Sequence, residues 1–263
     1  MKLGFIGTGT ISSAIVEGLS QSSIRGSIIL SPRNAEVAAQ LAQRHDNVTI
    51  ARDNQAVLDV ADTVVVAVRP QIAHQVLTAL RFRPDHEILS VVPAVSLPYL
   101  QSVTAPARRV TRAVPLPSAA YRQSPTVMYP SNPSVKALLD ELGTAIELDR
   151  EEEFEIYTAA TAIMSSYFGF ASTLASWMEH QGASSEKARV YVGQMLRGLA
   201  AATTVMHDRS FAELALEHET RGGLNEQVFR TIAPTGEFVE LTRALDDILK
   251  RLETGKAQRP TLS

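Results

Sequence analysis

The sequence predicts a doubly wound, mainly parallel α/β sheet followed by an all-α domain. Strand-like apolar runs alternate with helical patterns over the first half of the chain, and this order is typical of a parallel sheet with helices on both faces. Beyond residue 149 the pattern is almost exclusively helical. The length of 263 residues and an apolar content of 45% suit two domains with cores of their own. We therefore expect an α/β domain at 1–149 and a helical domain at 150–263.

The chain opens with a short buried-strand pattern that leads directly into a glycine turn. Gly7 permits a tight turn, Gly9 allows the backbone to approach a pyrophosphate, and the helical pattern that follows would direct unpaired N–H groups at that anion. Ser12 stands at the third small position, where Gly or Ala is usual. An ordinary tight turn with two glycines is the alternative. The pattern favours a Rossmann-type dinucleotide site formed by Gly7, Thr8, Gly9, Thr10 and Ile11.

The later elements of the first domain follow in the same alternation. The run Thr63–Val68 is continuously apolar and β-branched, as expected of a central strand that is covered on both faces. The other predicted strands are Ser27–Leu30, Val48–Ile50, Glu87–Val92, Thr126–Tyr129 and Ala145–Leu148. The predicted helices are Ile11–Gln21, Asn34–His45 and Pro133–Gly143.

The second half begins with a segment, Glu151–His180, that has apolar or small residues on nearly every face. As one helix it would reach roughly 45 Å and would need partners all round. We therefore expect a homodimer built on the helical domain. The next boundaries are a break at Gly182, a helix capped by Ser184 and Ser185 and ending near Met206, a capping box of Ser210 with Glu213, an interruption at Gly222-Gly223, a last helix at Gly236–Leu252 and a frayed tail at Thr254–Ser263.

Composition argues against several classes of function. The net charge is −3 and basic residues form no long run, so nucleic-acid partners are not expected. The chain has no cysteine and its six histidines are scattered, so we expect neither a disulfide nor a metal site. The apolar stretches are too short to span a membrane, and no secretory cleavage pattern follows the first strand. We expect a cytoplasmic protein.

The residues after the second predicted strand indicate which dinucleotide binds. NAD sites place an acidic residue here to accept hydrogen bonds from the ribose 2′-OH, and this sequence has Ser31-Pro-Arg33-Asn34 instead. Glu36 is already inside the helix. Because a hydroxyl and a guanidinium suit the 2′-phosphate, Ser31 and Arg33 predict NADP. The alternative is that Arg33 is an ordinary solvated residue at a helix start.

Several short motifs follow one another along the chain. They are Gly4–Leu19, Asp53-Asn54 with Ala56-Val57, Ala67–Gln71, Ser90–Val95, Arg112–Pro115 and Arg221–Gly223. In their order and spacing they resemble the pyrroline-5-carboxylate reductase family, which uses NAD(P)H to reduce a cyclic imine to proline. The resemblance implies an NADP(H)-dependent oxidoreductase whose cofactor also lies against Asn54, Ala67, Val68, Arg69, Pro70 and Ala94.

The departures from this family gather on the substrate side. Ala94 replaces a Gly, and Pro115–Pro117 replaces Pro-Asn. Leu224 and Asn225 replace two threonines that line the family's imino-acid pocket, while Tyr167 is kept. The resemblance therefore implies that the cofactor half is retained and that the pocket has diverged.

Three residues of the helical half are candidates for substrate binding. A substrate carboxylate could rest on the N–H groups of Gly222-Gly223, with Arg221 as its charge partner and Asn225 as a further donor. The Tyr167 hydroxyl lies on an otherwise apolar helix and would need a partner if buried. The alternatives are an interhelical turn, a surface arginine and a core tyrosine.

Three functions follow from these observations. The first is NADP-dependent reduction of pyrroline-5-carboxylate or a related cyclic imino acid. The second is a hydroxyacid dehydrogenase. That chemistry needs a lysine as general base on the first long helix, and residues 151–186 contain no lysine. The third is a protein that binds NADP without turnover, as a sensor or a structural subunit with an eroded pocket.

Overall fold

The computed structural model describes residues 1–24 and 26–257, with side chains to residue 254. The chain divides into two compact units: an α/β unit, Met1–Ala159, with which the chain from Leu249 onward is grouped, and a helical unit, Ala160–Ile248. The domains 1–149 and 150–263 stay a prediction. Of the predicted frayed tail, 254–257 is helical and the rest lies outside the described residues.

The α/β unit is built on an eight-stranded sheet. Its strands are β1 (Lys2–Ile6), β2 (Ser27–Leu30), β3 (Val48–Ile50), β4 (Thr63–Val66), β5 (Glu87–Ser90), β6 (Arg109–Val114), β7 (Ser124–Tyr129) and β8 (Gly143–Glu147). They lie in the order β3-β2-β1-β4-β5-β6-β7-β8. Each neighbouring pair is parallel except β6 and β7. The predicted doubly wound, mainly parallel sheet is confirmed.

Helices cover both faces of this sheet. They are α1 (Thr10–Ser20), α2 (Ala35–Arg44), α3 (Asn54–Val60), α4 (Pro70–Thr78), α5 (Leu97–Val103), α6 (Pro133–Asp140) and α7 (Glu153–Ala160). Adjacent residues of one strand face opposite cores: Phe5 belongs to the cluster that includes α1 and α6, and Ile6 to the cluster that includes α3 and α4. The sequence does not predict α3, α4 and α5, because helices of seven to nine residues show too few turns for a period to emerge.

The helical unit contains α8 (Met164–His180), α9 (Ser185–Val205), α10 (Phe211–Glu217), α11 (Leu224–Ile232) and the start of α12 (Glu237–Ala257). Its predicted boundaries are confirmed by their geometry. Gly182 has φ +98° after α8, and the Ser184 hydroxyl accepts from the Lys187 amide at 3.4 Å. Ser210 and Glu213 form the predicted capping box. None of the described helices has the length and apolar character needed to cross a bilayer.

The prediction of one continuous helix over Glu151–His180 is wrong. The segment ends one helix at Ala160, passes through a 3₁₀ turn at Thr161–Ile163, and then begins α8. At the junction the Met164 amide bonds to the Thr161 carbonyl, and the backbone stays helical throughout. The reason is local: β-branched side chains at 161 and 163 are stiff and lower helix propensity, and a 3₁₀ turn tightens the chain without breaking it.

Candidate active site

The glycine turn follows β1 and begins α1. Gly7 has φ +99°, and a Cβ at this position would lie 2.6 Å from the carbonyl oxygen of Ala67. Gly9 is the N-cap of α1, where a Cβ would meet no atom within 4 Å and no side chain caps the helix. The turn therefore presents open space to uncapped amides, with no acidic residue in the first turn of α1. These features fit the pyrophosphate of a dinucleotide.

Two hydroxyl groups fasten this turn to the neighbouring strand. The Ser31 hydroxyl accepts from the Gly7 amide at 2.9 Å, and the Thr8 hydroxyl donates to the Ser31 carbonyl at 2.9 Å. Ser31 and Thr8 are both buried. Within the α/β unit Ser31 thus fixes the shape of the turn, and its direct contact with a 2′-phosphate stays a prediction.

The unusual Ser12 also supports the turn. Its hydroxyl donates to the Gly7 carbonyl at 2.7 Å, and its side chain is fully buried. A Gly or Ala could not make this bond. The departure from the usual motif therefore adds a hydrogen bond on the inner side of the turn without adding bulk to its open side.

The remaining cofactor candidates lie at the carboxyl ends of neighbouring strands. Arg33 follows β2, and its exposed guanidinium has no partner among the described residues. Asn54 begins α3 behind β3. Ala67, Val68 and Arg69 follow β4, Pro70 begins α4, and Ala94 follows β5. β1 lies between β2 and β4, so the order of strands reverses here, and this edge is where α/β sheets bind ligands.

Ala94 adopts a conformation that its side chain disfavours. Its φ is +53°, in the left-handed region where glycine is the usual residue. The turn after β5 thus has a glycine-like backbone at the position where the resemblance implies a glycine.

In the helical unit, the chain's own groups occupy the amides of the Gly-Gly turn. The Gly222 amide donates to the Glu226 carboxylate at 2.5 Å, and the Gly223 amide donates to the Thr220 carbonyl at 2.6 Å. The Asn225 side-chain amide donates to the His218 carbonyl at 2.9 Å. A substrate carboxylate would have to replace Glu226 at this turn.

Unlike Asn225, Arg221 and Tyr167 have exposed side chains that are available for contact with a substrate. Arg221 is exposed and has no partner among the described residues. Tyr167 lies on α8 with 47% of its surface exposed, and its ring packs edge-on against Phe168. Arg221 and Asn225 flank the Gly-Gly turn, whereas Tyr167 belongs to another helix. Their roles in catalysis stay predictions.

A buried charge cluster, given no role by the sequence, lies behind the cofactor edge. Arg112 on β6 is 1% exposed, and its guanidinium pairs with Glu151 at 2.7 Å and Glu155 at 2.8 Å. The same group lies 3.9 Å from the ring centroid of Phe154. Glu151 also accepts from the Leu97 amide at 2.7 Å. Arg112 thus joins β6 to α7 through Glu155, and Glu151 extends the cluster to the first residue of α5.

Comparisons with known proteins agree along the chain. A family model described as "NADP oxidoreductase coenzyme F420-dependent" matches residues 2–94. A pyrroline-5-carboxylate reductase of Pseudomonas aeruginosa is 26% identical, and the match covers 95% of each chain. The crystal structure of 1-pyrroline-5-carboxylate reductase from Streptococcus pyogenes matches with a TM-score of 0.84 at 25% identity, over 97% of this chain and 98% of that one.

This chain is similar to pyrroline-5-carboxylate reductases over nearly its full length. The resemblance predicted from its motifs is confirmed. A Plasmodium falciparum pyrroline carboxylate reductase, solved with NADP bound, shares the fold with a TM-score of 0.84 at 17% identity and covers 97% of this chain and 98% of that one. The similarity to reductases includes both the α/β unit and the helical unit.

The buried cluster of this reductase relative yields a test of stability. Arg112→Met would leave the buried Glu155 and the partly buried Glu151 without their cation, and we expect the free energy of unfolding to fall by about 3 kcal/mol. Urea unfolding at neutral pH measures this change. The matched control is Arg122→Met, which removes an exposed pair with Glu141 and should cost less than about 1 kcal/mol. Equal losses for the two variants would show that the cluster does not hold α7 to the sheet.

Proposed function

We propose that this protein reduces a cyclic imine by hydride transfer from NADPH, and that the imine is pyrroline-5-carboxylate or a related imino acid. The observation that carries the proposal is the uncapped glycine turn at the point where the strand order reverses. Reductases of this name match the chain over nearly its full length. Cytoplasmic location belongs to the same proposal.

The residues of the α/β unit fit the cofactor in three places. The amides behind Gly9 would bind the pyrophosphate, Arg33 would pair with the 2′-phosphate, and the turn at Ala67–Pro70 would lie beside the nicotinamide with Ala94. NADPH supplies the hydride when it is bound. Because the glycine turn is held by buried hydrogen bonds, this part of the site needs no rearrangement to accept the cofactor.

The side chains of the helical unit would hold the substrate. Reduction of an imine depends mainly on positioning the reacting carbons about 3–3.5 Å apart and on excluding water. Arg221 would pair with a substrate carboxylate, and Asn225 and the Tyr167 hydroxyl would donate hydrogen bonds. The lack of a lysine at 151–186 argues against a hydroxyacid dehydrogenase.

The direct test mixes purified full-length protein with NADPH and pyrroline-5-carboxylate. We expect nicotinamide absorbance to fall with saturable dependence on both compounds. The Gly7→Ala variant should abolish this activity, because its Cβ would collide with the Ala67 carbonyl. Saturable NADPH binding without turnover of any cyclic imine would support the binding protein instead. Absence of NADPH binding by folded protein would refute the proposal.

A second prediction concerns Glu226, which bonds to the Gly222 amide that a substrate carboxylate would use. Glu226→Ala should lower the KM for pyrroline-5-carboxylate by roughly fivefold, the effect of about one hydrogen bond. The KM for 1-pyrroline, which has no carboxylate, should not change. Glu219→Ala, at a partly exposed glutamate in the connection between α10 and α11, is the control. Equal changes in KM for both imines would show that Glu226 does not affect recognition of the substrate carboxylate.

The third prediction concerns assembly. No residue of α8 is buried, and the helix exposes large apolar side chains that include Phe168 at 68% and Trp177 at 62%. Soluble monomers rarely expose such a surface, so we propose a homodimer formed through the helical unit.

Light scattering coupled to gel filtration tests this assembly. The wild-type chain should have the mass of a dimer, and the double variant Phe168→Glu, Trp177→Glu should have the mass of a monomer. The control is Tyr121→Glu, which changes an equally exposed aromatic residue of the α/β unit. A monomeric wild type, or a double variant that remains dimeric, would contradict the prediction.

A further inference from the structure

Two arginines leave the sheet side by side at the outer part of the cofactor edge. Leu30 of β2 is paired with Ile50 of β3, and the Ala51 amide donates to the Leu30 carbonyl at 2.9 Å. Arg33 lies three residues beyond the end of β2, and Arg52 lies two residues beyond the end of β3. Since neighbouring strands are about 4.8 Å apart, the two arginines leave the sheet from adjacent strands at the same end.

We propose that Arg52 is a second ligand of the cofactor's 2′-phosphate, which it holds together with Arg33. This inference rests on the proposed function, because it concerns the same dinucleotide. Arg52 makes the site selective for NADPH over NADH. Arg52 follows β3. Sequence motifs place the ribose contact elsewhere, in the segment after β2.

The guanidinium of Arg52 is available for an anion. Its side chain is 84% exposed, and its only ion pair among the described residues joins Nε to the Asp53 carboxylate at 3.4 Å. Its two terminal nitrogens have no partner in the described part of the chain. A guanidinium can donate two parallel hydrogen bonds to a phosphate, and this fork is the geometry left free here.

The acidic residues nearby are engaged in local contacts. Asp53 caps α3, where its Oδ1 accepts from the Ala56 amide at 2.8 Å. Glu36, in the first turn of α2, accepts from the Gln40 side chain at 3.5 Å. In NAD sites an acid at this edge would bind the ribose diol and repel a phosphate. Here Asp53 is engaged in capping its own helix and makes only an exposed ion pair with Arg52.

The hydrogen bonds of the turn connect this edge to the pyrophosphate site. Ser31 bonds both to the Gly7 amide and to the Thr8 hydroxyl, so β2 and the glycine turn are fixed relative to each other. A dinucleotide whose phosphates lie on the turn extends its adenosine past the end of β2. The next strand in that direction is β3, and Arg52 follows it.

Calorimetric titration of the full-length protein with NADPH and with NADH tests the assignment without using activity. Arg52→Ala should raise the Kd for NADPH about tenfold or more, the loss expected for a hydrogen bond to a charged group, and leave the Kd for NADH within about twofold. Combining it with Arg33→Ala should make the two Kd values equal. Added salt should weaken NADPH binding more in the wild type than in the double variant.

The control is Arg108→Ala, which removes an exposed arginine directly before β6, at the end of the sheet where the parallel strands begin. It should change neither Kd. The inference is overturned if Arg52→Ala weakens NADPH and NADH equally, or weakens neither, or if Arg33→Ala alone removes the whole preference. A wild type that binds no nicotinamide coenzyme would instead overturn the proposed function.

Discussion

The backbone of Gly7 is the constraint on which the cofactor edge depends. Its positive φ brings the turn to within van der Waals distance of the Ala67 carbonyl, so that the ends of β1 and β4 meet without a side chain between them. The Gly7 amide is fixed by the Ser31 hydroxyl, which adds the end of β2. Gly7 is thus in contact with the ends of β1, β2 and β4, which lie where the strand order reverses. A side chain at this position would collide with the Ala67 carbonyl and push the ends of β1 and β4 apart.

Much of the α/β unit can be predicted from the sequence because its signals are local. Continuous β-branched runs and the glycine turn depend on residues within one strand or turn, and both have the predicted form. β6 is different. Its sequence includes Arg109 and Arg112, so it reads as polar, although Arg112 is among the most buried residues of the chain. Only the carboxylates of Glu151 and Glu155, about forty residues away, explain that burial.

In the candidate site, too, the sequence alone cannot show contacts that depend on a neighbouring element. The sequence shows that no acidic residue stands between β2 and α2, but it cannot show that Ser31 faces inward, because this depends on the register of β1 against β2. The Gly-Gly turn is likewise visible in the sequence. That its amides are taken by Glu226 and Thr220 depends on how α11 begins. Residue types define which chemistry is possible, and contacts outside the motif decide which groups are free to perform it.

The two units therefore differ in how they have changed relative to the reductases. In the α/β unit the replaced residues preserve the backbone: Ser12 adds a hydrogen bond to the turn, and Ala94 keeps a left-handed conformation despite its Cβ. In the helical unit Leu224 and Asn225 stand where the resemblance implies two threonines, and Asn225 bonds to its own chain. A turn that binds a common cofactor is limited in its backbone, because the cofactor does not vary with the substrate. Groups that bind a substrate carry that limit only for a given substrate, so under the proposed function the helical unit is where substrate choice would be set.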